Sequence, residues 1–270
     1  MAYKLKWDEV GKRLYETGIQ NVALFVMGNE GKYNDGVAWS GVTEISKSPS
    51  GAEETALYAD NMKYLSLRSV EELGGSITAY DSPDEFDVCD GCAELAPGLS
   101  IRQQSRVNFA IAYINNIGND TEGDSYGERL NVIYNMSAAP SERTNTTIND
   151  SPEPSELSWE YSTTAVPVNI PGLKLKATSL LEIESLTADP EAFQLIKDTL
   201  FGIEADAWSN ERDYKKGEYV TQSEKTYRAK TTVSMGSEWT ESDWEEVKNP
   251  NPHLPSIEEI YSMFVPTAQG

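Results

Sequence analysis

The stretch RVNFAIAYIN, residues 106–115, decides the fold class of this chain. Large apolar side chains stand at every second position, which is the period of a β-strand with one buried face. The residues that this pattern places on one face are Val107, Phe109, Ile111 and Tyr113. The segment RLNVIYNM, residues 129–136, repeats it with Leu130, Val132, Tyr134 and Met136. We therefore predict two neighbouring strands that contribute to one core.

Further segments carry the same signal outside this pair. LSWEYSTT, residues 157–164, alternates Leu157, Trp159 and Tyr161 with polar residues. We also predict strands near 22–27, 36–46, 62–69, 74–80 and 172–182. Because polar residues alternate with apolar ones, each sheet should have one face in a core and one face outside it. The chain is thus predicted to be mainly β, with antiparallel sheets.

Three short segments carry helix signals. In SPDEF, residues 82–86, Ser82 is placed as an N-cap with Pro83 in the first turn and Glu85 three residues on, so we predict a helix over 83–94. DPEAFQLIKDTLFG predicts a helix that Asp189 caps and Gly202 ends. PSIEEIYSMF repeats the capping pattern with Ser256 and Glu259, and predicts a C-terminal helix.

The chain is strongly acidic. Its 270 residues include 22 Lys and Arg against 44 Asp and Glu, a formal charge of −22. Nucleic-acid binding depends on cationic side chains that displace counterions from phosphates. This composition therefore excludes a protein that binds nucleic acid through its phosphates. The N-terminal residues MAYKLKWDEV contain no apolar run, and no segment reaches the roughly 20 apolar residues of a membrane helix, so we expect neither a signal peptide nor a membrane span.

Residues typical of catalytic and metal sites are scarce. His253 is the sole histidine and lies among prolines, and Cys89 and Cys92 are the only cysteines. A closed zinc site needs about four Cys or His ligands, so we predict no zinc site and two reduced cysteines one turn apart on a helix. No phosphate-binding glycine loop and no HExxH motif is present. We expect no enzyme activity, no metal and no cofactor.

Two long polar segments are predicted to be loops. Residues 115–128 carry Asp120, Glu122 and Asp124, which suggest calcium, but an EF-hand loop counted from Asp120 would need Gly and an acid where Ser125 and Asn131 stand. We therefore expect a solvated hairpin loop. Residues 139–156 form the second polar connection, and a connection of that length usually has an interaction role.

Residues 36–67, GVAWSGVTEISKSPSGAEETALYADNMKYLSL, resemble the major tail protein, or tail tube protein, of long-tailed bacteriophages of Gram-positive hosts. The likeness continues through residues 76–168, which begin SITAYDSPDEFDVCDGC, and it covers most of residues 1–204. The resemblance implies a β-sandwich of two antiparallel sheets with a short flanking helix. In that family, copies join into hexameric rings whose inner sheets close into a β-barrel, and the rings stack into a tube.

The resemblance also implies the partners and the location of the protein. The chain would bind copies of itself, the tape-measure protein and the tail terminator and distal tail proteins, and genomic DNA would pass through its lumen during ejection. It would be made in the host cytoplasm and reside in the virion, with no membrane partner. Residues 1–205 carry 15 Lys and Arg against 32 Asp and Glu, a net charge of −17. Lumen carboxylates would repel passing DNA, and the alternative is that the charge keeps unassembled subunits soluble.

The segment 208–247, WSNERDYKKGEYVTQSEKTYRAKTTVSMGSEWTESDWEEV, resembles the small carbohydrate-binding modules of chitinases and cellulases. The matching positions are Trp208, Tyr214, Gly217, Val220, Tyr227, Ala229, Trp244 and Val247, and Glu218 replaces the usual Asp. Those modules place exposed aromatics after Tyr-x-Ala, where this chain has Lys230, Thr231 and Thr232. We therefore expect Tyr227 and Trp244 to be buried and Trp239 to be the best exposed platform.

The candidate glycan-binding residues are Trp239, Trp208 and Tyr214, and the ligand class would be a bacterial surface polysaccharide. The alternative is that the module is a structural decoration that binds no glycan. We predict a tail tube domain over 1–205 to which 250–270 return, and an all-β module over 206–249 inserted so that it projects from the outer wall. Two alternatives stay open. The chain would be a secreted glycan-binding protein, or a baseplate or receptor-binding component of the tail.

Overall fold

The computed structural model describes residues 4–51, 53–145, 147 and 154–265. The chain forms two compact units, residues 1–187 and 188–270. The first unit is built mainly from β-strands, and the second combines two helices with a four-stranded sheet. The chain as a whole is mainly β, which confirms the predicted fold class at that level. Each unit has its own core.

Thirteen strands lie in the described part of the first unit. They are β1 (Tyr15–Val26), β2 (Val37–Ala38), β3 (Val42–Ile45), β4 (Ser48–Gly51), β5 (Glu54–Ala59), β6 (Met62–Arg68), β7 (Glu71–Ala79), β8 (Ala93–Ala96), β9 (Leu99–Ile101), β10 (Phe109–Asn119), β11 (Gly123–Ala138), β12 (Leu157–Thr163) and β13 (Leu180–Glu184). Nine of them form one antiparallel sheet in the order β2-β1-β10-β11-β12-β7-β3, with β13 on β11 and β4 on β7. The hairpins β5–β6 and β8–β9 are separate two-stranded sheets.

The two sheets that the resemblance implied are joined into one by the long strand β11. Its first part pairs with β13 from Arg129 to Ile133, and its last residues pair with β12 from Met136 to Ala138. The sheet curls, so that residues of β7 and β12 meet residues of β1, β10 and β11 in a common core. Trp159 stands at the centre of that core, with its ring 5.1 Å from Phe86 and 5.6 Å from Trp39.

The predicted alternation holds in β10 and breaks in β11. Phe109, Ile111 and Tyr113 all lie in the main core, as the pattern predicted. In β11, however, Ile133 and Met136 share that core, because the register shifts between them and Asn135 adopts a left-handed φ of 51°. A bulge of this kind reverses the face of every following residue. The prediction that Leu130, Val132, Tyr134 and Met136 share one face is therefore wrong.

The prediction of a helix over residues 83–94 is also wrong. Only Asp84–Phe86 form a single 3₁₀ turn, and turns follow as far as Gly91. Ser82 is not its cap, since Pro83 takes the cap position and no side chain bonds there. Phe86 is buried against Trp39 and Phe109, so tertiary packing fixes this segment in place of helical hydrogen bonds. Cys89 and Cys92 are free and buried in these turns.

Two further boundaries differ from the prediction. The polar stretch 115–128 is mostly strand, because β10 and β11 continue as a hairpin with its turn after Asn119. Within 172–182 only the residues from Leu180 onward are strand, since pairing with β11 starts there. The polar connection 139–156 lies partly outside the described residues.

The second unit contains the helices α1 (Pro190–Phe201) and α2 (Ile257–Phe264) and a four-stranded sheet of β14 (Asp206–Ala207), β15 (Tyr219–Gln222), β16 (Lys225–Ala229) and β17 (Trp244–Val247). The predicted caps are confirmed. Asp189 accepts from the Ala192 N–H at 3.0 Å, and Ser256 and Glu259 form a reciprocal capping box. Gly202 ends α1 with a φ of 88°. The units divide after Thr187, and not at 205, because α1 and α2 pack within the second unit.

Candidate functional site

The small sheet of the second unit is built around aromatic side chains. Its buried core consists of Tyr214, Val220, Ala229, Val233 and Trp244, with Trp208, Tyr227 and Trp239 packed against it and partly buried. β15 and β16 are joined by a two-residue turn at Ser223 and Glu224, both with positive φ, which is the geometry that suits a tight hairpin. A sheet this small gains most of its burial from large rings, which accounts for the concentration of tryptophan.

Trp239 is the centre of the cluster. It stacks on Trp244 with ring centres 5.0 Å apart and planes 11° apart, and its neighbours Tyr227 and Trp208 meet it edge-on at 4.9 and 5.7 Å. One face of the ring is therefore covered by the core, and the residue is only partly exposed. The expectation that Trp239 is the best exposed platform is met only in part, because one face of its ring is covered and the residue is partly buried.

The other two candidate residues differ in their surroundings. Trp208 is partly buried, and its indole N–H is buried without a hydrogen-bond partner among the described residues. Tyr214 is 1% exposed, its hydroxyl donates to the Ser209 carbonyl, and Arg212 covers its ring at 4.5 Å. No face of Tyr214 is open to a sugar, so Tyr214 leaves the candidate set because its ring fills the core.

The burial predicted for Trp244 is confirmed, since the residue is 3% exposed. Tyr227 is only partly buried.

Helix α1 is tied to the small sheet by two polar contacts within the second unit. The Tyr219 hydroxyl donates to Asp198 Oδ2 at 2.8 Å, and Lys216 Nζ lies 2.6 Å from Glu191 Oε1. Burial, together with the Asp198 carboxylate, raises the pKa of the Tyr219 phenol above its ordinary value. Tyr219 and Asp198 also line a cavity of about 180 Å³ to which both α1 and the sheet contribute. The two polar contacts hold the module against its neighbouring helix.

The β5–β6 hairpin is exposed along almost its whole length. Five of its apolar side chains with large exposed fractions are Leu57, Tyr58, Met62, Tyr64 and Leu67. An isolated two-stranded hairpin is marginally stable in water, so this element gains stability when something covers its exposed apolar side chains. Strand β1 also has a largely unpaired outer edge, because β2 pairs only with Ala23 and Leu24 of that strand.

A buried carboxylate organises the turns around the cysteines. Asp90 Oδ2 accepts from Arg102 at 2.7 Å and from Arg143 at 3.1 Å, and Arg106 donates to its main-chain carbonyl. The positions of these residues in the sequence did not predict that they form a cluster. Burial, with the Asp90 charge, raises the pKa of the Cys89 thiol to about 12. Such a thiol is a packing residue rather than a nucleophile.

Metal ligands do not gather in the part of the chain that the structure describes, where no three His, Cys, Asp or Glu residues are placed to hold an ion. Asp120, considered for calcium, instead accepts from the Gly11 N–H at 2.9 Å and lies 3.8 Å from Arg13. It therefore anchors the N-terminal segment. No described helix has the length and apolar character needed to cross a bilayer.

Comparison with known proteins gives no match, either among protein-family models or among curated proteins.

Proposed function

We propose that this chain is the structural subunit of a bacteriophage tail tube, in which copies join into hexameric rings and the rings stack around a lumen for DNA. The observation that carries the proposal is the β5–β6 hairpin, a solvent-exposed two-stranded element that carries several large apolar side chains close together, as interaction surfaces do. The likeness of residues 36–67 and 76–168 to tail tube proteins supports the same assignment.

The open edge of β1 supports a ring. Its first residues, from Tyr15 onward, pair with β10 on one side, and β2 covers only Ala23 and Leu24 on the other. An unpaired edge is a template for a strand of another copy, and closure into a ring removes that hazard. The inner sheets would then close into a β-barrel whose acidic residues repel DNA.

Assembly of the purified full chain tests the proposal. We expect negative-stain microscopy to show hollow tubes of uniform diameter at high protein concentration. A monomer at every concentration would contradict it. An end cap or spike in place of tubes would favour the baseplate alternative.

Glycan binding by the outer module, residues 206–249, is the second candidate function. It is favoured by the partly exposed rings of Trp208 and Trp239, and opposed by the absence of aromatics at 230–232. Pull-down of the full chain with bacterial cell-wall polysaccharide measures it. Trp208→Ala should reduce retention by up to about tenfold, since a ring-stacking contact is worth roughly 0.5–1.5 kcal/mol. Lys230→Ala is the control, and no retention of the unaltered chain would remove this function.

A further inference from the structure

Three polar or aromatic side chains form a row across the main sheet. Tyr113 of β10 pairs directly with Asn131 of β11, and Asn131 pairs directly with Glu182 of β13. Directly paired residues project from the same face, so the three side chains are neighbours. Asn131 is fully buried, with 0% exposure. A buried amide in this position requires polar partners.

Lys47 supplies one of those partners from a distant part of the chain. Its Nζ donates to Asn131 Oδ1 at 2.9 Å, across 84 residues of sequence, and also forms a close contact with Glu182 Oε1. The main chain beside it is held in place, because the Tyr161 hydroxyl donates to the Ser46 carbonyl at 2.7 Å. The amine, the amide and the carboxylate thus meet at one point.

The Asn131 amide is held in a single orientation. Its Nδ2 donates to Asn115 Oδ1 at 2.8 Å, which leaves Oδ1 towards Lys47. Since a carbonyl bond is about 1.2 Å long, the lysine nitrogen is within about 4 Å of the amide carbon. Reacting atoms held at nearly that separation behave as an intramolecular pair with a very high effective concentration.

The site lies at the boundary between core and surface, since the side chains of Lys47 and Glu182 are 30% and 41% exposed. Tyr113 and Tyr161 are 2% and 4% exposed and enclose the site on the core side. Burial, and the nearby Glu182 carboxylate, raise the pKa of the Tyr113 phenol. Transfer of the ammonium proton of Lys47 to the Glu182 carboxylate yields a neutral amine, which is the nucleophilic form.

We propose that Lys47 and Asn131 form an intramolecular isopeptide bond, with Glu182 as the proton-transfer residue. Glu182 accepts a proton from Lys47, and the free amine attacks Cγ of Asn131. The new Nζ–Cγ bond forms, and the Cγ–Nδ2 bond breaks after Glu182 returns its proton to Nδ2. The Nδ2 nitrogen leaves as ammonium, which takes away one proton and the positive charge that Lys47 carried at the start. No oxidant, metal or cofactor enters this balance.

The bond would join the segment between β3 and β4 to the central strand β11. It closes a loop of 84 residues, which restricts the unfolded chain as a disulfide does but resists reduction. This inference is independent of the tail tube proposal, because it concerns one folded chain and not its assembly.

The intact mass of the purified full chain tests it directly. We expect a mass about 17 Da below that of the sequence, which is the mass of one ammonia. Tryptic digestion should leave Lys47 uncleaved, with peptide 33–63 joined to peptide 130–143. A mass equal to that of the sequence, or a loss located in any other peptide, would overturn the proposal.

Substitutions separate the roles of the three residues. Lys47→Arg keeps the positive charge but forms no isopeptide bond, and it should show its full sequence mass. Glu182→Gln should also show its full mass, with a midpoint of thermal unfolding lower by about 10 °C. The matched control is Glu184→Gln, which changes a carboxylate of the same strand that pairs with Arg129. This variant should still have a mass about 17 Da below that of its sequence. If Glu182→Gln also lost the mass of one ammonia, Glu182 would not be the proton-transfer residue.

Discussion

Replacing Leu57 and Leu65 together by threonine should weaken self-association and leave the subunit folded. The two leucines are directly paired across the β5–β6 hairpin and are 43% and 37% exposed. Full burial of a leucine side chain is worth about 1.5–3 kcal/mol, so covering the exposed remainder of both contributes about 1.5 kcal/mol for each subunit. Threonine keeps a high β-propensity, which preserves the strand pairing.

That free energy corresponds to about a tenfold change in an association constant. We therefore expect the lowest concentration at which tubes pellet in the ultracentrifuge to rise about tenfold in the double variant. Circular dichroism and the midpoint of thermal unfolding should stay within the range of ordinary surface substitutions. Met235→Ser, an exposed apolar residue of the second unit, is the control and should assemble normally. Unchanged assembly of a folded double variant would refute the reasoning, because the hairpin would then lie outside every contact.

Two further results follow from the buried polar groups. Tyr219→Phe removes the hydroxyl that donates to Asp198 and should destabilise the second unit by about 1 kcal/mol, measured by urea unfolding of the full chain. Tyr227→Phe, which loses no hydrogen bond among the described residues, is its control, and equal effects of the two variants would contradict the role of this contact. Cys89, whose pKa of about 12 lies far above the ordinary value near 8.5, stays a protonated thiol at pH 8. Iodoacetamide should therefore label it about a thousandfold more slowly in the folded protein than in guanidinium, and rapid labelling of the folded protein would contradict its burial.

Features that depend on near neighbours in sequence were predictable. The two-residue period over 106–115 placed Phe109, Ile111 and Tyr113 on the core face, because side chains of a strand alternate whatever surrounds it. The capping signals of Asp189 and Ser256 were equally local, since a cap bonds to a main-chain N–H only three residues away. These local signals were enough to predict a mainly β chain with two capped helices.

Features that depend on distant neighbours were decided only by the tertiary structure. The same capping pattern at Ser82 gave no helix, because Phe86 is held by packing on Trp39 and Phe109. One bulge at Asn135 reversed the faces of β11, and a single residue with positive φ leaves no trace in a hydrophobic pattern. Tyr214 matched a sugar-binding module in sequence, yet its ring proved to be core.

The sequence by itself determined that this chain is acidic, rich in β-strands and carries a tryptophan-dense C-terminal segment, because composition and periodicity are properties of the chain alone. Only the tertiary structure decided which side chains meet. Lys47, Asn131 and Glu182 come from three distant segments, and strand register brings them within contact of one another. Register is set by the pairing of whole strands across the sheet, which no short stretch of sequence encodes.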